Sequence, residues 1–243
     1  MATWTRGRAT VEDAVTSPRR ITSRALRDSF FEDIQSLTFG LVRRRESSLY
    51  VGPLELLRFG PAKVSRTSVE LPIEGGLLVG APGGYLRLEA AKGRMTALVE
   101  GYRPRLPRAI YALTQLPFHH TIMRLFLLRE RGRLPEPGVP APPTKRLVAG
   151  AIDTGLCAMV ALMAGKRRRL PALLGITAGY HIACWSLSGR TIGGLVTKQR
   201  LVAVDGSRLS VGQAVIRLLA LPLAAVRTRA VHDEIAATEV IAD

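Results

Sequence analysis

Between about Thr38 and Tyr102 the chain reads as short apolar runs broken by turn signals. Tyr85-Leu86-Arg87-Leu88-Glu89-Ala90 alternates apolar with polar, while Gly75-Gly76 and Pro82-Gly83-Gly84 punctuate the runs. A period of two sends alternate side chains to opposite faces of a sheet, so this stretch predicts about five or six antiparallel strands. Ahead of it, residues 1–35 are rich in Arg, Ser, Thr and Asp with little periodicity. They predict a loosely ordered arm carrying a short helix around Thr22–Ile34. After Pro107 the apolar positions become helical: Ile110, Leu113, Leu116, Ile122, Leu125 and Leu128 suit a long amphipathic helix, interrupted near Pro117. Residues 36–132 therefore read as an α+β domain, an antiparallel sheet closed by a long C-terminal helix.

Residues 133–145, RLPEPGVPAPPTK, contain Pro135, Pro137, Pro140, Pro142 and Pro143. Proline favours extended, hydrogen-bond-free backbone, so this segment predicts a semi-rigid linker. Beyond it, residues 146–243 change character. Leu147–Gly165 holds one charge, and Leu170–Leu187 holds none. At 1.5 Å per residue such runs span about 28 Å, near the hydrocarbon thickness of a bilayer. They predict an α-helical membrane domain of two spans around the basic turn Lys166–Arg169, with the bilayer as first partner. Tyr180 and Trp185 fit as interfacial anchors. A third apolar run, Val211–Val226, carries Arg217 and Pro222 and is short for a span; a tilted helix and a re-entrant element both fit.

Composition adds a strong cationic bias. The formal net charge is +16, and 30 of the 35 basic residues are Arg, five being Lys. Such a skew reads as coding bias in a GC-rich genome, or as attraction to nucleic acid or to anionic lipid headgroups. Aromatic residues for base stacking are only 5% and no nucleic-acid motif is present, which argues against nucleic acid. Cys157 and Cys184 lie in apolar runs and read as packing residues. The opening MATWTRGRAT has no apolar run after its charges, so it is not a secretory signal. The expectation is a multi-pass protein of the cell membrane with its first domain in the cytoplasm, although the Lys166–Arg169 turn then faces outward, against the positive-inside tendency.

Several ordered motifs resemble the RDD family of membrane proteins. Arg146-Leu147-Val148-Ala149-Gly150-Ala151-Ile152-Asp153 matches the family's R-x-x-A-x-x-I-D opening. Gly189-Arg190-Thr191-Ile192-Gly193 resembles its G-R-T-x-G step, and Arg200 through Asp205-Gly206 resembles R-V-V-x-x-D-G. Ser210 and Arg217 fit the following S…R, and His232-Asp233 with Ala236-Ala237-Thr238-Glu239-Val240 fits H-D-x-x-A-G-T-x-V. The chain departs from the pattern at Gly194, where Lys is usual, at Thr197, where Gly is common, and at Ala237, where Gly usually follows Ala. The resemblance covers about residues 145–241; nothing before 145 belongs to it. The first domain is similar, by element order alone, to the helix-grip fold of START-like lipid-binding proteins.

The RDD resemblance implies transport, with cation/proton exchange reported for some members, and makes Arg146, Asp153 and Asp233 the natural carriers of the named arginine and aspartates. Physical chemistry points to the same places. A carboxylate inside a membrane span costs several kcal/mol unless paired, hydrated or protonated. Arg146 and Asp153, seven residues apart, form a polar stripe along nearly one helix face. Arg217 is a third charge in apolar sequence, available to pair with Asp153. Arg146, Asp153, Arg217, His232 and Asp233 are therefore the ion-pathway candidates, and a buried pair that fixes helix packing is the structural alternative. Assembly with other membrane proteins or as a homo-oligomer is a further reading, and a tethered apolar-ligand module is the rival one. His119-His120 lacks partner ligands at metal spacing, and His181 reads as an interhelical hydrogen-bonding group. No P-loop, nucleophile elbow or zinc pattern occurs, so no cofactor, metal or enzymatic activity is expected.

Overall fold

Alternating burial runs through the longest strands of a large antiparallel sheet in the computed structural model, which describes residues 2–18, 21–91, 93–226 and 231–243. The strands are β1 (Ala2–Thr5), β2 (Arg8–Thr16), β3 (Val42–Arg45), β4 (Ser48–Val51), β5 (Leu54–Phe59), β6 (Lys63–Val64), β7 (Ser68–Gly75), β8 (Val79–Ala81), β9 (Gly84–Ala91) and β10 (Arg94–Pro104). Their order across the sheet is β1-β2-β10-β9-β7-β5-β4-β3, with β6 on β7 and β8 on β10. Val11 and Val15, Val69 and Leu71, Leu86 and Leu88, Met95 and Ala97 are buried on one face. The stretch from Thr38 thus holds more strands than its apolar runs suggest, because β6 and β8 are only two and three residues long.

Helices α1 (Ser23–Leu37), α2 (Arg108–Leu113) and α3 (Gln115–Arg131) complete this first unit. Thr22 caps α1, its hydroxyl accepting from Ala25 N–H at 3.2 Å. α1 and α3 pack on each other and on the sheet. Phe30 meets Phe126 at 5.4 Å and Phe31 at 5.3 Å, both edge to face, so the space between helices and sheet is filled by aromatic rings.

Two sequence expectations change here. The segment 1–35, expected as a loose arm, pairs β1 with β2 and β2 with β10 before entering α1. Its alternation was obscured by Asp13, a carboxylate on the inward face. The helix interruption falls at Thr114 rather than at Pro117. Proline sits comfortably in the first turn of α3, where no backbone donor is needed. Ile122, Leu125 and Leu128 are buried as expected, whereas Ile110 and Leu113 face solvent.

A boundary between Leu134 and Pro135 separates the second unit, consistent with proline-rich chemistry there. It contains α4 (Pro143–Leu162), a short 3-10 turn (Lys166–Arg168), α5 (Arg169–Leu187), α6 (Ile192–Val196), β11 (Gln199–Ala203), α7 (Val211–Val226), α8 (Val231–Ile235) and β12 (Thr238–Ala242). α4 packs on α5 and α6, α5 on α7, and α7 on α8. β11 and β12 form an antiparallel pair. The proline segment is not a simple spacer: Pro140 bridges Ile241, Ala141 N–H donates to Val240 O at 2.9 Å, and Ala242 N–H donates to Val139 O at 2.8 Å. Residues 139–141 thus lie along the free edge of β12.

Among the described residues, Lys166–Leu187 is the helix long and apolar enough to cross a membrane, with mean hydropathy 1.3 and 11% burial in its most apolar window. α4, expected as the first of two spans, carries Lys145, Arg146 and Asp153. α7 is a shorter apolar helix, begun by a capping box: Gln213 N–H donates to Ser210 Oγ, and Ser210 N–H to Gln213 Oε1, each at 3.2 Å.

Candidate functional site

Polar groups gather where α4, α7, α8 and β12 meet. α8 presents Asp233, which is buried, and α7 brings Arg217 to it. Arg217 donates from Nε at 3.0 Å and from Nη2 at 2.8 Å, both to Asp233 Oδ1, which also accepts Thr238 Oγ1–H at 2.9 Å. Oδ2 faces Arg146 Nη1 at 3.3 Å and His232 Nε2 at 3.6 Å. Arg146 spends its other donors on backbone, Nε to Ala141 O at 3.0 Å and Nη2 to Val240 O at 3.1 Å. That fixes the first turn of α4 to the strand pair. The Arg217 guanidinium lies 4.6 Å over the Trp185 ring, which shields one flat face from water. Four of the sequence candidates, Arg146, Arg217, His232 and Asp233, are therefore one ion cluster. Burial holds the His232 imidazole below its ordinary pKa, with Asp233 opposing and both guanidinium groups adding to the shift.

Asp153 lies apart from that cluster, and its expected partner is wrong. Arg217 is committed to Asp233. Asp153 Oδ1 instead accepts Tyr180 Oη–H at 2.7 Å and Gly193 N–H at 2.8 Å. Tyr180 Oη in turn accepts Ile192 N–H at 2.7 Å. The carboxylate and the phenol thus serve the exposed amides that begin α6, beside the Thr191 cap whose Oγ1 accepts Gly194 N–H at 3.0 Å. Gly193 is required here: a Cβ would fall 2.2 Å from Ala149 O, so α6 touches the α4 backbone directly. Nor do Arg146 and Asp153 share a partner; the stripe they form on α4 has two separate ends.

The other motif residues have local duties. Arg190 pairs with Asp243 at 2.9 Å. Asp205 and Gly206 make the turn after β11, where Asp205 Oδ1 accepts Ser207 N–H at 3.0 Å and Gly206 adopts φ 81°. Ala237, where the family pattern has Gly, stands at φ 50°, the left-handed region that disfavours a side chain. His181 bonds within its own helix, Nδ1 to Thr177 O at 2.8 Å, and meets Tyr180 and Trp185 edge to face.

Both polar groups border one open cavity of about 940 Å³, lined by Arg146, Asp153, His181, Trp185, Arg217 and His232 among others. His232 Nδ1 is buried with no hydrogen-bond partner among the described residues. Sequence reasoning missed Tyr180 as the partner of Asp153 and Thr238 as a donor to Asp233. A hydroxyl inside an apolar run was the available signal for Tyr180; Thr238 gave none. Among the described residues no group of three or more His, Cys, Asp or Glu is placed to hold a metal ion. No protein-family model, curated protein or solved structure matches this chain.

Proposed function

We propose that the second unit is a membrane-embedded domain of the RDD type whose cavity binds and passes a small cation or proton, in a multi-pass protein of the cell membrane with the first unit in the cytoplasm. One observation carries this reading, an inverted polarity. Arg217, Asp233 and Asp153 are buried, whereas Leu147, Met159, Leu162, Met163, Leu170, Leu174, Leu187 and Leu219 are each at least 60% exposed. In water that arrangement is doubly costly; in hydrocarbon it is the expected one. α4 and α5 act as the two spans, joined by the basic turn at Lys166–Arg169, and α7 enters as a shorter tilted helix. Transport comes from the family resemblance and is supported by the open cavity, the Asp153 carboxylate that lines it and the orphaned His232 nitrogen.

Membrane fractions washed with alkaline carbonate test the embedding: retention in the pellet is expected, and release to the supernatant overturns it. Asp153→Asn tests the transport. It keeps an acceptor for Tyr180 and Gly193 but removes the carboxylate, so cation/proton exchange in proteoliposomes should fall to background while yield and melting temperature hold. Unchanged exchange removes Asp153 from the pathway.

A second reading concerns the first unit. Its strand order, with α1 and α3 laid on the sheet, resembles the element order of a helix-grip fold, and that resemblance supports an apolar-ligand module. Phe30 and Phe126 stand where such a ligand would lie and must move to admit it. Mass spectrometry of purified residues 2–134 decides: co-purifying lipid supports the module, and its reproducible absence removes it.

A further inference from the structure

At one corner of the first unit, Arg6, Arg103 and Arg108 surround Trp4. The β1–β2 connection places Arg6 and Gly7 at φ 50° and 77°, a mirror-image hairpin turn that points the arginine outward. Arg103 comes from the end of β10 and Arg108 from the start of α2, its guanidinium 5.3 Å from the Trp4 ring. With Gly7, Pro104 and Leu106 they border a recess of about 390 Å³ that, among the described residues, no carboxylate lines. Beneath it Trp4 meets Tyr111 edge to face at 5.3 Å, and burial pushes the Tyr111 phenol up to about 12. The floor is therefore rigid, aromatic and uncharged.

Beside the arginines the surface turns apolar. α2 buries Tyr111 and sends Ile110 and Leu113 to solvent, 48% and 81% exposed, with Leu106 before them and Phe118 after. We infer that this corner docks on an anionic phospholipid surface, the arginines taking headgroup phosphates while Leu106, Ile110 and Leu113 enter the interface. Guanidinium groups match phosphate oxygens bidentately, and the apolar side chains explain why a lipid is the occupant. A bound RNA would leave Ile110 and Leu113 in water, and free phosphate would make no use of them. The inference rests on the proposed membrane embedding for proximity, since the same chain then holds this unit near a bilayer.

Trp4 and Trp185 are the two tryptophans, so a Trp185→Phe chain reports on this corner alone. Reconstituted in phosphatidylglycerol nanodiscs with brominated acyl chains, Trp4 emission should shift blue and quench; in phosphatidylcholine discs it should do neither. Arg103→Gln/Arg108→Gln removes two surface cations and should lower the docked-to-free ratio about 30-fold. Leu113→Gln should lower it with every arginine retained. Trp4 emission indifferent to phosphatidylglycerol overturns the inference. A response to inorganic phosphate or to single-stranded RNA as large as that to lipid overturns it in favour of those ligands. Failure to enter nanodiscs at all would instead strike the embedding of the second unit. Trp4 is then read with the chain added to phosphatidylglycerol vesicles, where silence again overturns the docking surface.

Discussion

Arg217 and Asp233 share a single oxygen: two guanidinium nitrogens, at 3.0 and 2.8 Å, converge on Oδ1, leaving Oδ2 to Arg146 and His232. Removing Asp233 strands Arg217 as a buried charge, whereas removing Arg217 leaves Asp233 with Arg146. Asp233→Asn should cost about 3–5 kcal/mol and Arg217→Gln less, each seen as a lower melting temperature in detergent. Arg217→Gln/Asp233→Asn should cost much less than the sum, because neither charge is then left alone. Additive losses would show that the two residues act independently.

Ala237 predicts a gain. At φ 50° its Cβ crowds the backbone, and glycine removes that crowding. Ala237→Gly should stabilise the second unit by about 1 kcal/mol, with thermal unfolding as the readout. A loss would mean that the left-handed turn is not maintained in solution.

Gly193 and Gly150 form a matched pair of controls. A Cβ on Gly193 would meet Ala149 O at 2.2 Å, while one on Gly150 meets nothing within 4 Å. Gly193→Ala should push α6 off α4 and break the Asp153 hydrogen bond, costing about 2–3 kcal/mol by comparison with overpacked cores. Gly150→Ala, in the middle of α4, should be neutral or slightly stabilising. Similar yields of folded protein for both would contradict the close approach.

The pH response of the first unit should come from His119. Burial pushes its imidazole down to about 4, against partial opposition from Asp13, 3.9 Å away, and reinforcement by His120. A pKa lowered on folding means that the unfolded chain takes the proton first. Stability is then full above about pH 6.5, falls as pH drops toward 4, and levels off below, a total of about 3 kcal/mol. His119→Gln should flatten that portion of a pH series of denaturant midpoints followed through Trp4 in the Trp185→Phe background. A wild-type profile already flat between pH 6.5 and 4 would contradict the burial.

Much of this was visible in the chain and some was not. Strands such as Gly84–Ala91 alternate cleanly, so their face could be read from residue order. β2 alternates too, but Asp13 occupies an inward position where pattern reading expects carbon, and His120 of α3 satisfies it at 2.8 Å from 107 residues away. The same distance problem hid the site. Arg146, Arg217 and Asp233 stand out as charges in apolar or patterned sequence, yet their pairing depends on which helix faces which. Tyr180 looked like an interfacial anchor because an aromatic near a helix end usually is one; its hydroxyl is instead held by Asp153.

The Arg146–Asp233 contact also orders events in time. Its partners lie 87 residues apart, with α5, α6, β11 and α7 all between them. At a synthesis rate of about 5–20 residues per second, Arg146 leaves the ribosome roughly 4–17 s before the carboxylate that will neutralise it. Throughout that interval α4 carries a guanidinium whose carboxylate partner does not yet exist, whereas Tyr180 and Gly193, the partners of Asp153, emerge well before it. The nascent chain must therefore hold that guanidinium in water or borrow a temporary counter-ion, and its final pairing waits for the arrival of α8.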